Sequence, residues 1–181
     1  MLIELIERGF PMLIESIEGV FQITLILATL LCSLVAGFVF AFAVVVMPGI
    51  KTLSDREFIR AFQVMDGIIQ NNQPIFVLVW VGSIVALVAS ALLGIRQFEG
   101  VERLLIILAV LVYLLVVQLP TFTINVPLNN KLQAMNVDDM DETAQKVARM
   151  DFEPGWLLWN SIRTTFACLV SSLLIILLFR L

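Results

Sequence analysis

The sequence predicts an all-α integral membrane protein, a four-helix bundle with short amphipathic helices in its loops. Of the 181 residues, 60% are hydrophobic and only 14% are charged, and a soluble domain of this length cannot bury so much apolar surface. The apolar residues also form four long runs, and a helix of about 20 such residues crosses a hydrocarbon core of about 30 Å. We therefore expect residues 1–181 to form a single transmembrane domain.

The first predicted span covers about residues 20–47, which include no charged residue. Pro48 and Gly49 are expected to end it, because proline lacks the N–H that continues a helix. The segment before the span lacks the cleavage site of a secretory signal. It is expected to form either a helical extension of the span or an interfacial amphipathic helix broken at Pro11. In the second case the lipid-facing side chains are Leu2, Ile3, Leu5 and Ile6.

Residues 54–70 have the pattern of a capped amphipathic helix. Ser54 and Glu57 have the spacing of a capping box, in which each side chain binds a free backbone N–H of the other residue. One face is expected to be apolar and the opposite face polar. The apolar face comprises Phe58, Phe62, Met65 and Ile69, and the polar face Arg56, Arg60 and Gln63. We expect this helix to lie on the bilayer surface or over the mouth of the bundle.

The second and third predicted spans cover about residues 74–95 and 103–124. Pro74 suits the first turn of a helix. The turn between the two spans is short, so they are expected to be antiparallel neighbours.

The fourth predicted span covers about residues 155–179, with Pro154 at its beginning. It contains one charged residue, Arg163. Asp139 and Glu142 have capping-box spacing, which predicts another short helix before this span.

Four alternating spans bring the polar segments of the chain to one membrane face. The end of the first span, the start of the second, the end of the third and the start of the fourth must lie on the same side. These segments contain most of the side-chain amides, namely Asn71, Asn72, Gln73, Asn125, Asn129, Asn130 and Asn160. The sequence therefore predicts a polar pocket at this face, open sideways to lipid and suited to a flat, mostly apolar molecule with a few oxygens.

Trp156, Asn160 and Arg163 share one helical face, and Trp159 lies beside them. An arginine inside a membrane costs about 2.5 kcal/mol or more and usually marks a pathway or a bound anion. Tryptophan would stack on the ligand, amides would bind its oxygens, and Arg163 would stabilise an anionic form. The alternative is that Arg163 reaches the lipid headgroups and the tryptophans form an interfacial belt.

The asparagines also have a purely structural interpretation. Asn71 and Asn72 would then cap the second span, and Asn125 would bind carbonyls that the nearby prolines leave free. Polar groups between membrane helices contribute on the order of 0.6 to 2 kcal/mol each to helix association.

Two motifs carry a family resemblance. They are NVPLNNKL after the third span and WLLWNSIRT at the start of the fourth. With Pro48 and the four-span topology, they make the sequence resemble the anthrone oxygenase-like family of small membrane proteins. The resemblance implies oxidation of an anthrone to an anthraquinone without a conventional redox cofactor, by binding the ring system, stabilising the enolate and excluding water.

Within this interpretation the expected catalytic residues are Arg163, Asn160 and Asn129, and the expected ligand-binding residues are Asn125, Trp156, Trp159 and Asn72. Asp66 and Glu57 are acids on the same membrane face, but the sequence places neither in the pocket as a base. The alternative function is a non-catalytic protein that binds a lipid or quinone or scaffolds a partner. A transporter is disfavoured, because no acidic residue lies deep in a predicted span.

Composition limits the remaining partners. The expected partners are membrane lipids and a hydrophobic small molecule, and a homo-oligomer stays open. Nucleic acid is excluded by a net charge of −4 without a cluster of basic residues. Histidine is absent and the acids lack metal-ligand spacing, so no metal site is expected. Cys32 and Cys168 are expected to pack as small apolar residues. We expect a multi-pass protein of the bacterial inner membrane.

Overall fold

The computed structural model describes residues 2–95 and 97–181, with side chains described from residue 18 onward except at position 96. Over these residues the fold is all-α with no strand, which confirms the predicted class. Four helices are long and apolar enough to cross a membrane, and the chain is a multi-pass integral membrane protein.

The first helix, α1, comprises an α-helical part, Leu2–Ala41, a π-helical turn, Phe42–Val46, and a last α-helical turn, Met47–Ile50. Its backbone passes Pro11 without a break, as in the helical extension of the first span. The four side chains expected to face lipid in the other interpretation lie outside the described part of the chain.

The helix α2, Asp55–Gln70, packs over the mouth of the bundle against the helix that contains Trp156. The Ser54–Glu57 capping box is present as predicted. Gln63 was expected on the polar face, and this prediction is wrong. Its amide is buried and donates to the carbonyls of Leu132 and Met135 at 2.9 and 2.8 Å, so it binds the free C-terminal carbonyls of a neighbouring helix.

The helix α3 covers Pro74–Gly94, with proline in its first turn as predicted. Its N-cap is Gln73, whose side chain accepts from the backbone N–H of Phe76; neither Asn71 nor Asn72 caps it. The helix α4 runs from Gly100 to Gln133. Its four parts are Gly100–Val112, the π-helical turns Tyr113–Gln118 and Thr121–Asn125, and Val126–Gln133.

The last helix, α5, covers Glu142–Phe179. Its N-cap is Asp141, which accepts from the backbone N–H of Ala144 at 2.7 Å, so the expected pairing of Asp139 with Glu142 is absent. Pro154 lies inside this helix and does not begin it. The segment expected to form a separate loop helix is therefore the first part of one long helix.

The three π-helical turns explain why two expected helix ends do not occur. Each turn precedes a proline by two residues, at Pro48, Pro120 and Pro127. In each case the residue just before the proline donates its N–H to the carbonyl five residues earlier. The wider turn accommodates the proline ring, which otherwise clashes with a carbonyl of the preceding turn. The helices therefore continue past Pro48 and past the third predicted span.

The helices pack so that one end of the bundle opens. α1 packs against α3 and α5, and α4 packs against α5. α3 contacts α4 chiefly over Gly100–Val112, next to the short turn that joins them. Beyond that point α3 and α4 separate toward the membrane face that contains α2. This separation leaves space inside the bundle, just below α2.

Candidate functional site

A cavity of about 360 Å³ lies at this end of the bundle, and all five helices contribute to its walls. It occupies the membrane face at which the alternating spans gather the amides. Its polar and charged lining residues include Asp66, Gln70, Thr121, Asn125, Asn129 and Arg163. Its volume falls in the range of about 300–1,000 Å³ that is typical of small-molecule sites.

Arg163 lines the inner end of the cavity, and the residue is 6% exposed. Its guanidinium is the buried cation of the site. It donates to the side-chain oxygen of Asn160 at 2.9 and 3.2 Å and to the hydroxyl of Thr121 at 3.2 Å. No ion pair joins it to a carboxylate among the side chains that the structure describes. Only neutral groups and the ring of Trp156, 5.5 Å away, therefore compensate this buried cation.

A second hydrogen-bonded chain lines the cavity closer to α2. The indole N–H of Trp156 donates to Asn129 at 2.8 Å, and the amide of Asn129 donates to Asp66 at 2.8 Å. Gln70 donates to the other carboxylate oxygen of Asp66 at 2.6 Å. Burial raises the pKa of the Asp66 carboxyl above its ordinary value, and it outweighs the two amide hydrogen bonds, which lower it.

Aromatic rings form most of the remaining wall. On one side Phe76 stacks on Trp80 with a centroid distance of 5.2 Å and an interplanar angle of 26°. The indole N–H of Trp80 donates to Gln118 at 2.9 Å, which fixes the orientation of the ring. On another side the ring of Trp156 meets the edge of Phe62 at a centroid distance of 5.5 Å. These surfaces suit a flat aromatic molecule.

Asn125 supplies a free acceptor. Its amide nitrogen donates to the backbone carbonyl of Trp156 at 3.3 Å, which links α4 to α5 and does not serve a carbonyl left free by a nearby proline. Its side-chain oxygen is buried and has no hydrogen-bond partner among the described residues. A buried acceptor without a partner costs about 1–3 kcal/mol, and Asn125 lines the cavity.

The cavity opens between α3 and α4. Phe122, which is 56% exposed, and the exposed residues Asn72 and Asn130 line the opening. Asn72 has a φ of 57°, a left-handed conformation that asparagine tolerates better than most residues. It forms the connection from α2 to α3, so its backbone as well as its amide shapes the opening.

Six of the seven residues expected from the sequence line this cavity, namely Arg163, Asn160, Asn129, Asn125, Trp156 and Asn72. Trp159 is partly exposed and does not line it.

Asp66 is the lining residue that the sequence analysis did not place. It follows Phe58 and Phe62 at a spacing of four residues, so the apolar face of α2 already contains the signal. Glu57 is exposed and serves the capping box, so it does not contribute to the cavity.

Part of the chain is similar to a known protein family. A sequence model of a family described as anthrone oxygenase matches residues 68–173. This region contains all seven residues expected from the sequence, while Asp66 lies two positions before it. No curated protein and no solved structure matches the chain.

Proposed function

Because this chain belongs to the anthrone oxygenase family, we propose that its cavity binds a flat aromatic ketone and promotes its oxidation by dioxygen without a redox cofactor. The observation that supports the proposal is Arg163. It is a buried cation with no carboxylate partner among the described side chains, and it faces a cavity walled by aromatic rings. Such a group stabilises negative charge that develops on a bound ketone oxygen.

The chemistry requires little beyond binding and charge stabilisation. An anthrone has an acidic benzylic CH₂ group, and loss of one proton gives an enolate whose charge lies partly on the ketone oxygen. The carbanion form attacks dioxygen, and protonation gives a hydroperoxide. Loss of the second benzylic proton and cleavage of the O–O bond release water and form the second carbonyl. One anthrone and one O₂ thus yield one anthraquinone and one water.

The proposed roles follow from the geometry. Arg163 binds the enolate oxygen, with Asn160 holding the guanidinium through two hydrogen bonds. Asn125 accepts a hydrogen bond from a hydroxyl group of the ligand, and Trp156 packs against its rings. Asn129 links Trp156 to the carboxylate end of the cavity. The apolar walls exclude water and strengthen these interactions.

A hydrophobic ligand of this kind concentrates in the bilayer, and we propose that it enters from the lipid between α3 and α4. The proposed location is a bacterial inner membrane.

A second candidate function is a non-catalytic protein that holds a lipid or a quinone. The exposed ring of Phe122 at the opening favours it equally.

Oxygen consumption distinguishes these candidates. Protein purified in a mild detergent is supplied with emodin anthrone, and oxygen uptake and quinone formation are followed. We expect uptake above the protein-free rate, reduced roughly 100-fold or more in Arg163→Ala, since one such charge-stabilising donor contributes about 10²–10³-fold. Arg180→Ala is the matched control, because Arg180 lies at the far end of α5 and pairs with Glu102.

Uptake that is equal in wild type and Arg163→Ala would contradict the proposed enzyme. Extraction of the purified protein and mass spectrometry of the extract then identify what it holds. A tightly bound lipid or quinone without turnover would support the second candidate.

A further inference from the structure

The proposed chemistry needs a base, and Asp66 is a carboxylate in the cavity wall. Among the described residues that line the cavity, Asp66 and Arg163 are the two with acidic or basic side chains. Asp66 is 4% exposed, and no described cation forms an ion pair with it. A structural carboxylate that is this well buried is normally paired with a cation or neutralised. This one lines the cavity.

The surroundings of Asp66 orient it without neutralising it. One carboxylate oxygen accepts from Asn129 and the other from Gln70, and both donors are uncharged amides. A carboxylate accepts about four hydrogen bonds, so each oxygen keeps a lone pair for a proton. Burial raises the pKa of Asp66, so it is a stronger base than an exposed aspartate. A general base is most effective when its pKa lies near the working pH, and the shift is in that direction.

Asp66 and Arg163 are linked through Asn129 and the ring of Trp156. The ring of Trp156 lies 5.5 Å from the guanidinium carbon of Arg163, and its indole N–H points to Asn129, which in turn holds Asp66. Along α5, Arg163 lies seven residues beyond Trp156, or about 10 Å deeper in the bundle. Asp66, Trp156 and Arg163 all line the same cavity, so one ligand bound there meets both charged groups.

We propose that Asp66 is the catalytic base that removes the benzylic proton from the bound aromatic ketone; this rests on the proposed function. The C–H bond breaks, its electron pair is delocalised onto the ketone oxygen beside Arg163, and the proton passes to a carboxylate oxygen of Asp66. This step consumes no oxygen, so it can be isolated from the oxidation that follows.

Deuterium exchange without oxygen measures this step directly. Anthrone is incubated anaerobically in D₂O buffer with the detergent-solubilised protein, and deuterium at the benzylic carbon is measured by mass spectrometry against a protein-free blank. We expect wild type to accelerate exchange and Asp66→Asn to lose that acceleration, by about 10²–10⁴-fold for a general base. Asp66→Glu should recover part of it, because the carboxylate is kept but displaced by one methylene group.

Binding is measured separately with anthraquinone, which has no benzylic C–H, through quenching of tryptophan fluorescence. Asp66→Asn should bind anthraquinone as wild type does, which also shows that the variant is folded; if it does not fold, Asp66→Glu carries the comparison. Asp151→Asn is the matched control, because Asp151 is exposed, pairs with Lys131 and lies outside the cavity.

Exchange that is equally fast in wild type and Asp66→Asn would overturn the assignment of the base and leave the proposed function intact. Anthraquinone binding by a wild type that does not accelerate exchange would also overturn it and favour the non-catalytic candidate. Failure of wild type to bind anthraquinone would reject the proposed function, and this inference with it.

Discussion

At the scale of single residues, the site is built from two buried charges that do not neutralise each other. Arg163 is held by Asn160 and Thr121, and Asp66 by Asn129 and Gln70. Burying a charge with only neutral partners destabilises a protein unless a ligand completes the arrangement. These two buried charges therefore lower the stability of the folded protein, and a polar ligand that binds to them raises it again.

Asp66 makes stability depend on pH in a direction opposite to most acids. Burial raises its folded pKa above the ordinary value of 3.8, so the folded protein binds the proton more tightly than the unfolded chain does. Its contribution to stability is full below the unfolded pKa and decreases as pH rises from there through the folded pKa. We expect Asp66→Asn to remove this decrease and to be more stable than wild type at neutral pH.

The measurement is the unfolding midpoint in denaturant from pH 3.5 to pH 8 for both proteins, because their difference cancels the other titrating groups. Asp138→Asn serves as the reference, since the arginines Arg56 and Arg60 lower the pKa of Asp138 and its contribution has the opposite sign. A wild type whose stability relative to Asp66→Asn rises with pH would show that this account of Asp66 is wrong.

At the scale of helices, π-helical turns and one arginine set the shape of the site. A π-helical turn adds one residue to a helix, which rotates the following side chains by about 100°. The turn Thr121–Asn125 thus sets how Asn125 and Asn129 face the cavity.

Arg149 on α5 holds the start of α2 in place, because it donates to Asp55 and to the backbone carbonyls of Leu53 and Lys51. Since α2 contains Asp66, this anchor also positions the carboxylate.

Removal of the Arg149 anchor should loosen α2 and leave the spans intact. In Arg149→Gln we expect the amides of α2 to exchange with deuterium roughly 10- to 100-fold faster, because a hydrogen bond to a charged group contributes about 1.5–3 kcal/mol. Arg56→Gln is the control, since Arg56 forms an exposed pair with Asp138 and such pairs contribute about 0–1 kcal/mol. Equal acceleration in α2 and α3 would show that Arg149 stabilises the whole bundle instead.

At the scale of the whole molecule, the fold places the cavity and the short turn between α3 and α4 on different membrane faces. α3 and α4 meet at the short turn and separate toward α2, and the cavity fills the space between them. The loops at Lys51–Ser54 and Ala134–Asp141 therefore lie on the cavity side, and the turn around Gln97 lies on the other.

Cysteine labelling tests this topology. In a protein without Cys32 and Cys168, we expect Thr52→Cys and Asp139→Cys to react with a membrane-impermeant maleimide from the same side of sealed vesicles. Gln97→Cys should react only from the opposite side, because one membrane span separates it from each of the two loops. These spans are α3, before Gln97, and α4, after it. Labelling of all three positions from one side would contradict the four-span arrangement.

The sequence by itself determined the class, the presence of four spans and the membrane face at which the amides gather. These properties depend on local quantities, namely the length of apolar runs and the alternation of spans, and they hold whatever the packing. The shared face of Trp156, Asn160 and Arg163 was also predictable, because α5 is regular over this region.

Only the tertiary structure decided which side chains meet. Gln63 turns inward because α2 packs over the bundle, and Trp159 is left out of the cavity because of the rotation of α5 within it. The chain stays helical through Pro48, where the sequence predicted a helix end, and through Pro154, where it predicted a helix start. A π-helical turn precedes Pro48 and accommodates its ring. Such outcomes depend on contacts between residues far apart in the chain, and the local pattern of one segment contains no information about its neighbours.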